Sequence, residues 1–296
     1  MSFSPIVLFV YNRPWHTQQT IEALQKNDFA SESDLFIFSD AEKDERSFKK
    51  VKEVRNYIKR IDGFKKITII ERETNWGLAN SIIDGVTKIV NEYGKIIVLE
   101  DDLVTSPYFL KFMNETLEMY QNEEKVACVH GYIYPIENLP ETFFIRGADC
   151  WGWATWKRGW DIFESDGQKL LSEVTRRGLQ KEADFDNNYG YTKMLLDQIN
   201  GKNNSWAVRW YFSAFLKEML CLYPGKSFVQ NIGNDASGTH CSSTNDYQIA
   251  LSKRYNLEKI PVIENQKSRE KMEHFFQSLQ SSLLRKILSK LKRRLI

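Results

Sequence analysis

Residues 96–113 read IIVLEDDLVTSPYFLKFM, and this stretch sets the architecture. Ile96, Ile97, Val98 and Leu99 form a short apolar run, the pattern of a strand covered on both faces in a parallel sheet. Three adjacent carboxylates, Glu100, Asp101 and Asp102, follow it at once. Open α/β sheets take ligands in the crevice beyond the carboxyl ends of their strands. Like charges crowded there repel unless a cation neutralises them, and a divalent metal carrying a diphosphate does so economically. The alternative is a solvated acidic turn before the next helix.

Working outward, short β-branched runs alternate with amphipathic segments, the pattern of βαβ units around a mostly parallel sheet. Strands are expected at Ile6 to Val10, Leu35 to Ser39, Ile67 to Glu71, Ile96 to Leu99 and Val126 to Val129. Helices are expected at Trp15 to Lys26, Ser47 to Ile61, Leu78 to Tyr93 and Pro107 to Tyr120, the last with Ser106 as N-cap. After Gly131 the chain is rich in aromatics and glycines with little periodicity to about Lys193. The expected class is therefore α/β, with a nucleotide-binding Rossmann-like half over 1–130, an acceptor-side lobe over 131–260 packed on the same sheet, and a tail over 261–296.

The 296 residues carry 41 Lys and Arg against 39 Asp and Glu, a balance that gives no support to a nucleic-acid partner. Cys128, Cys150, Cys221 and Cys241 form no CxxC pair, which fits reduced thiols rather than a disulfide framework or a zinc site. Cys128, in an apolar run, reads as core. Tyr11, Asn12 and Arg13 interrupt the first apolar run, so no signal peptide is expected. No stretch approaches the length that spans a bilayer.

Parallel strand ends point the same way, so Asn12, Arg13 and Asp40 are expected to converge with the acidic triplet. Arg13 suits a phosphate or a base, and Asp40 suits a base N–H or a ribose hydroxyl, though both also fit ordinary turns. No GxGxxG or Walker-type loop is present, which disfavours a dinucleotide fold and a P-loop ATPase. Asn75, Trp76 and Gly77 open a helix, where backbone N–H groups either meet an anion or simply form a left-handed turn.

The segments VLFVYNRP (7–14), FIFSDAE (36–42), ERETNWGLANSI (71–82), the acidic stretch and WGWATWKRGW (151–160) together resemble bacterial GT-A glycosyltransferases. The similarity is greatest to the N-acetylglucosaminyltransferase I type, whose EDD motif stands where DxD is commoner. It spans roughly residues 5 to 245. The resemblance implies that Asp102 ligates manganese, Asp101 lies near ribose and metal, and Glu100 contacts the donor sugar. It also implies that Arg13 contacts the nucleotide and Asp40 binds uracil, so the donor is a UDP-sugar and the cofactor Mn²⁺ or Mg²⁺. Such ions take hard oxygen ligands and leave positions for phosphate. They stabilise charge on the departing diphosphate.

An inverting enzyme also needs a carboxylate to deprotonate the acceptor hydroxyl. In the resembled enzymes an aspartate follows a tryptophan, whereas SWAVRW (205–210) has Ala207 after Trp206. Asp149, Asp197 and Asp235 are the candidates, with Asp197 and Asp235 placed first; a surface aspartate is the alternative for each. Trp151 and Trp153, the latter in particular, read as a wall of the sugar site, with aromatic core as the alternative. NIGNDASGTH (231–240) reads as a functional loop after a strand over Ser227 to Ile232. His240 there suits a donor phosphate or an incidental loop position. Arg209 and Lys217 suit a phosphate or, more simply, a solvated helix face.

From Leu283 onward, leucines and isoleucines recur on one helical face while Arg285, Lys286, Lys290, Lys292 and Arg293 occupy much of the other. Such a helix lies on an anionic membrane surface, or packs on the protein body or a dimer partner. The combined expectation is a metal-dependent, inverting glycosyltransferase at the inner face of the cytoplasmic membrane. It moves a sugar from a UDP donor to a bacterial surface-glycan or lipid-linked acceptor. The rivals are a sugar nucleotidylyltransferase, which lacks support because no glycine-rich basic loop comes after the first strand, and a non-catalytic nucleotide-binding accessory protein.

Overall fold

The structure, a computed structural model, describes residues 3–235, 244–254 and 256–294, with side chains as far as Gln280. Its strands are β1 (Ile6–Val10), β2 (Asp34–Ser39), β3 (Lys66–Glu71), β4 (Lys95–Glu100), β5 (Leu103–Thr105), β6 (Val126–His130), β7 (Thr142–Arg146), β8 (Trp153–Trp156), β9 (Leu220–Pro224) and β10 (Val229–Asn231). Eight of them form one mixed sheet in the order β3-β2-β1-β4-β8-β6-β9-β7. β1 to β4 pair in parallel, β8 runs against both β4 and β6, β9 runs with β6, and β7 closes the edge antiparallel to β9. The five strands expected from apolar runs all form. β1 and the four central residues of β4 are fully buried, as a doubly covered sheet requires.

Helices α1 (Pro14–Gln25), α2 (Glu45–Ile58), α3 (Gly77–Tyr93) and α4 (Phe109–Met119) come after β1, β2, β3 and β5. α4 starts later than expected. Ser106 Oγ accepts from the Tyr108 N–H at 3.3 Å, the bond of an N-cap to a first turn that holds Pro107, and donates to the Ser252 carbonyl at 2.6 Å, while regular helix begins at Phe109 with Tyr108 as its immediate cap. The second half contributes α5 (Lys157–Trp160), α6 (Gly167–Arg176), α7 (Gln180–Ala183), α8 (Tyr191–Ile199), α9 (Trp206–Leu216) and α10 (Gln266–Arg294). Because β6 to β9 belong to the main sheet, residues from 126 onward share one core with the first half.

The tail is not free at its start. Met272 and Phe276 of α10 are buried, Phe276 against Tyr134 and Phe185, and Arg269 pairs with Glu264 and Glu273. The basic face from Leu283 onward lies outside the described side chains. No helix among the described residues is long and apolar enough to cross a membrane.

Candidate active site

Phe9 pairs with Glu100 and Val10 with Ser39, so the chain leaves β1, β2 and β4 at one edge of the sheet. Arg13 from the first of these loops reaches the acidic triplet. Its Nη1 donates to Asp102 Oδ2 at 2.6 Å and lies 3.6 Å from Asp101 Oδ1, while Nη2 is 3.8 Å from Asp235 Oδ1. His16, in the first turn of α1 and nearly buried, places Nε2 3.0 Å from Asp235 Oδ2. Burial, with the nearby Arg13 charge, pushes the His16 imidazole below its ordinary value, partly offset by Asp235.

Burial also pushes the Asp101 carboxyl up to about 7, reinforced by the Asp102 charge and opposed by Arg13. Glu100 moves up for the same reasons, burial first and then Asp102 and Asp101. The triplet is thus a desolvated group of like charges, as its sequence position implies, and not a solvated turn.

β10 pairs antiparallel with β5, placing Asn231 opposite Leu103 and carrying residues 232–235 back over Asp102. The Ile232 N–H donates to the Asp102 carbonyl at 2.9 Å. Gly233 permits this approach: a Cβ there would lie 2.0 Å from Asp102 Oδ2 and 3.0 Å from Arg13 Nη2. This short strand is the core of the one expected over Ser227 to Ile232.

Asp40 has a different setting. Its Oδ1 accepts from the N–H of Ala41 and Trp76, both at 2.9 Å; Oδ2 accepts from the Gly77 N–H at 2.8 Å and from Asn75 Nδ2 at 3.1 Å. The anion at the α3 N-terminus is therefore Asp40 itself, and Gly77 supplies the positive φ of 73° that turns the chain into the helix. Beside it the Arg72 guanidinium lies 3.7 Å over the half-exposed Trp76 ring and pairs with Asp84. Arg72, Trp76 and His16 escaped the sequence reading as site residues. The rule that selected Arg13, a cation just beyond a parallel strand, also selects Arg72 after β3.

Other expected residues fall elsewhere. Trp153 is corrected to core: it is 1% exposed and packs against Trp160, Trp206 and Trp210 at ring separations of 5.6–5.8 Å. Trp151, two residues earlier and half-buried, meets Tyr132 and Tyr247 edge-on. Asp197 is not brought to the acidic cluster: it pairs on α8 with Lys193 and, at 3.4 Å, with Lys202, and these cations hold its carboxyl below the usual range. Arg209 is buried and donates to the Ser165 and Ser205 carbonyls. Lys217 is exposed beyond the end of α9. His240 lies outside the described residues. Asp149 accepts from the Tyr223 hydroxyl at 2.9 Å and from the Cys150 N–H at 2.7 Å.

The model of the family "Glycosyl transferase family 2" matches residues 6–173, more than half of the chain and the whole stretch from β1 through the acidic triplet. The chain belongs to glycosyl transferase family 2. Among solved structures, similarity extends to a mannosyltransferase of Pyrobaculum calidifontis in complex with GDP-Man and Mn²⁺ (12% identity, TM-score 0.33, 45% of this chain and 36% of that one). It extends also to TarS of S. aureus (13%, 0.41, 79% and 37%) and to a UDP-glucose pyrophosphorylase complexed with UDP-glucose (14%, 0.38, 75% and 90%). The transferase spans little more than a third of the length of the first two. A search of curated proteins finds no match.

Among the described residues no group of three His, Cys, Asp or Glu side chains is arranged to hold a metal ion unaided. The donor set nevertheless fits a divalent cation that brings its own oxygen ligands. Asp101 and Asp102 offer hard carboxylate oxygens, and their mutual repulsion already draws in the Arg13 cation.

Proposed function

We propose that this family 2 glycosyltransferase uses a UDP-sugar with Mn²⁺ or Mg²⁺, inverts the anomeric centre, and glycosylates a bacterial surface-glycan or lipid-linked acceptor. One observation carries the reading: Arg13 bridges Asp101, Asp102 and Asp235 at the carboxyl edge of the sheet, so a cation is already required where a diphosphate would sit. Asp102 and Asp101 would hold the metal, which when bound lowers the cost of charge on the departing diphosphate. Arg13, released from Asp102, pairs with phosphate oxygens. Glu100 faces the donor sugar, in keeping with the EDD arrangement of the N-acetylglucosaminyltransferase I type. Asp40, with Asn75 and the Arg72–Trp76 stack, forms the wall for uracil.

Residues 1–130 supply the donor half and residues 131–260 the acceptor side. The basic sequence after Glu273 favours attachment to an anionic inner leaflet, where each cation adds on the order of 1 kcal/mol.

The test is release of UDP from UDP-N-acetylglucosamine, UDP-galactose and UDP-glucose in the presence of Mn²⁺, with Asp102→Ala as control. Release in the wild type and its loss in the variant support the reading. Equal rates in the two overturn it, and UDP binding without turnover favours the accessory protein.

A further inference from the structure

β8 runs against β4 with Trp153 opposite Val98, so residues 149–152 extend beyond the end of β4, alongside Glu100. The Gly131 N–H donates to the Gly152 carbonyl at 2.6 Å and ties this segment to the end of β6. Tyr223, near the carboxyl end of β9, holds Asp149 from the other side. The Cys150 thiol is pushed up by burial and by the charges of Asp149, Glu100 and Asp102.

Asp149 is unlike the other acids there. Its side chain is 13% exposed, and among the described residues no Lys or Arg forms an ion pair with it. The nearest basic group is His130, with Nε2 3.7 Å from Oδ1; that nitrogen accepts the Trp151 N–H at 3.0 Å, and burial pushes the imidazole down, so the ring is neutral. A carboxylate so placed, held by one phenol and one backbone N–H, forgoes the pairing that usually offsets desolvation. Asp235 is tied to Arg13 and His16 on the diphosphate side, and Asp197 to two lysines. An inverting transfer needs its base on the face of the sugar opposite the diphosphate.

We infer that Asp149, fixed by Tyr223 and the Cys150 N–H beside the half-buried Trp151 ring, is the base that deprotonates the acceptor hydroxyl. The inference rests on the transferase reading above. As the acceptor oxygen bonds to the anomeric carbon, the bond from that carbon to the phosphate oxygen breaks and its electron pair leaves with UDP. The hydroxyl proton passes to Asp149 and then to solvent. Trp151 offers a flat face to the acceptor ring.

The test measures UDP release with the three UDP-sugars above, Mn²⁺ and a panel of methyl glycosides as acceptors, alongside UDP binding by calorimetry. Asp149→Asn is expected to retain the wild-type UDP affinity within about threefold and to lose about 10²–10⁴ in turnover, the range for a removed general base. Tyr223→Phe, which keeps the carboxylate but removes its phenolic donor, is expected to lose about ten- to a hundredfold, the range for one hydrogen bond to a charged group. Asp149→Asn turning over within threefold of the wild type overturns the assignment while Asp102→Ala remains inactive. If Asp149→Asn does not bind UDP, wild-type turnover in Tyr223→Phe overturns it. A wild type inactive with every pair removes the transferase reading, and the base with it.

Discussion

Arg13 Nη1 lies 2.6 Å from Asp102 Oδ2, joining the loop after β1 to the loop after β4, two strands adjacent in space but 85 residues or more apart in sequence. The same guanidinium faces Asp101 and Asp235. It therefore holds together a cluster that would otherwise be three converging negative charges.

Removing that cation gives the first expectation. Arg13→Met should destabilise the metal-free protein by on the order of 3 kcal/mol, because it strands partly buried carboxylates. Added Mn²⁺ should restore part of the loss. Urea unfolding with and without metal measures both effects; an unchanged midpoint contradicts the role given to Arg13.

The second concerns pH. The folded Asp101 carboxyl titrates at about 7 against an ordinary value of 3.8, so the folded state holds this proton more tightly than the unfolded chain. Its contribution to stability is complete below about pH 4 and is lost as pH rises toward 7. His16 and His130 are shifted down, and their contribution runs the other way, lost as pH falls below about 6.5. The Asp101 part is isolated by comparing wild type with Asp101→Asn. The variant's advantage in metal-free buffer should grow from pH 5 to pH 7.5, and a constant difference contradicts the shift.

Gly233→Ala tests the close approach of the 231–235 segment. The new methyl would meet Asp102 Oδ2 at 2.0 Å, so the segment or the carboxylate must move. Overpacking of this kind costs about 1–3 kcal/mol. UDP affinity measured with Mn²⁺ should fall by about tenfold, which is about 1.4 kcal/mol, while far-ultraviolet circular dichroism is unchanged.

The two tryptophans separate core from surface. Trp153→Ala should cost about 3–5 kcal/mol as a large core deletion, while Trp151→Ala, at a half-buried ring, should cost less and reduce turnover. Asp197→Asn should leave turnover within about threefold, since only its two pairs with exposed lysines are lost. Paired unfolding and UDP-release measurements decide all three.

The edge of the sheet that carries the site was legible because buried parallel strands are short apolar runs, and the residues just after each run fall at the same edge. That rule found Arg13, Asp40 and the acidic triplet. It applies equally to Arg72 after β3, but the sequence hides what Arg72 meets: Asp84 lies on the next helix, and Trp76 joins it only when α3 turns back over β3. The tryptophan run could not be resolved by composition. Trp151 and Trp153 share a face in an extended segment, but Gly152 takes a positive φ of 68°, breaks the alternation, and leaves the first ring half-buried and the second in the core. Asp40's four donors were equally hidden, because three come from a loop 35 or more residues away.

Anomalous diffraction at the manganese edge, from crystals soaked with UDP and Mn²⁺, bears on the whole account. A single manganese peak is expected at about 2.2 Å from an Asp102 oxygen, shared with the UDP diphosphate, with Arg13 moved from Asp102 to a phosphate. UDP bound with Asp102 still paired to Arg13 and no manganese between them would contradict the metal-bridged donor site.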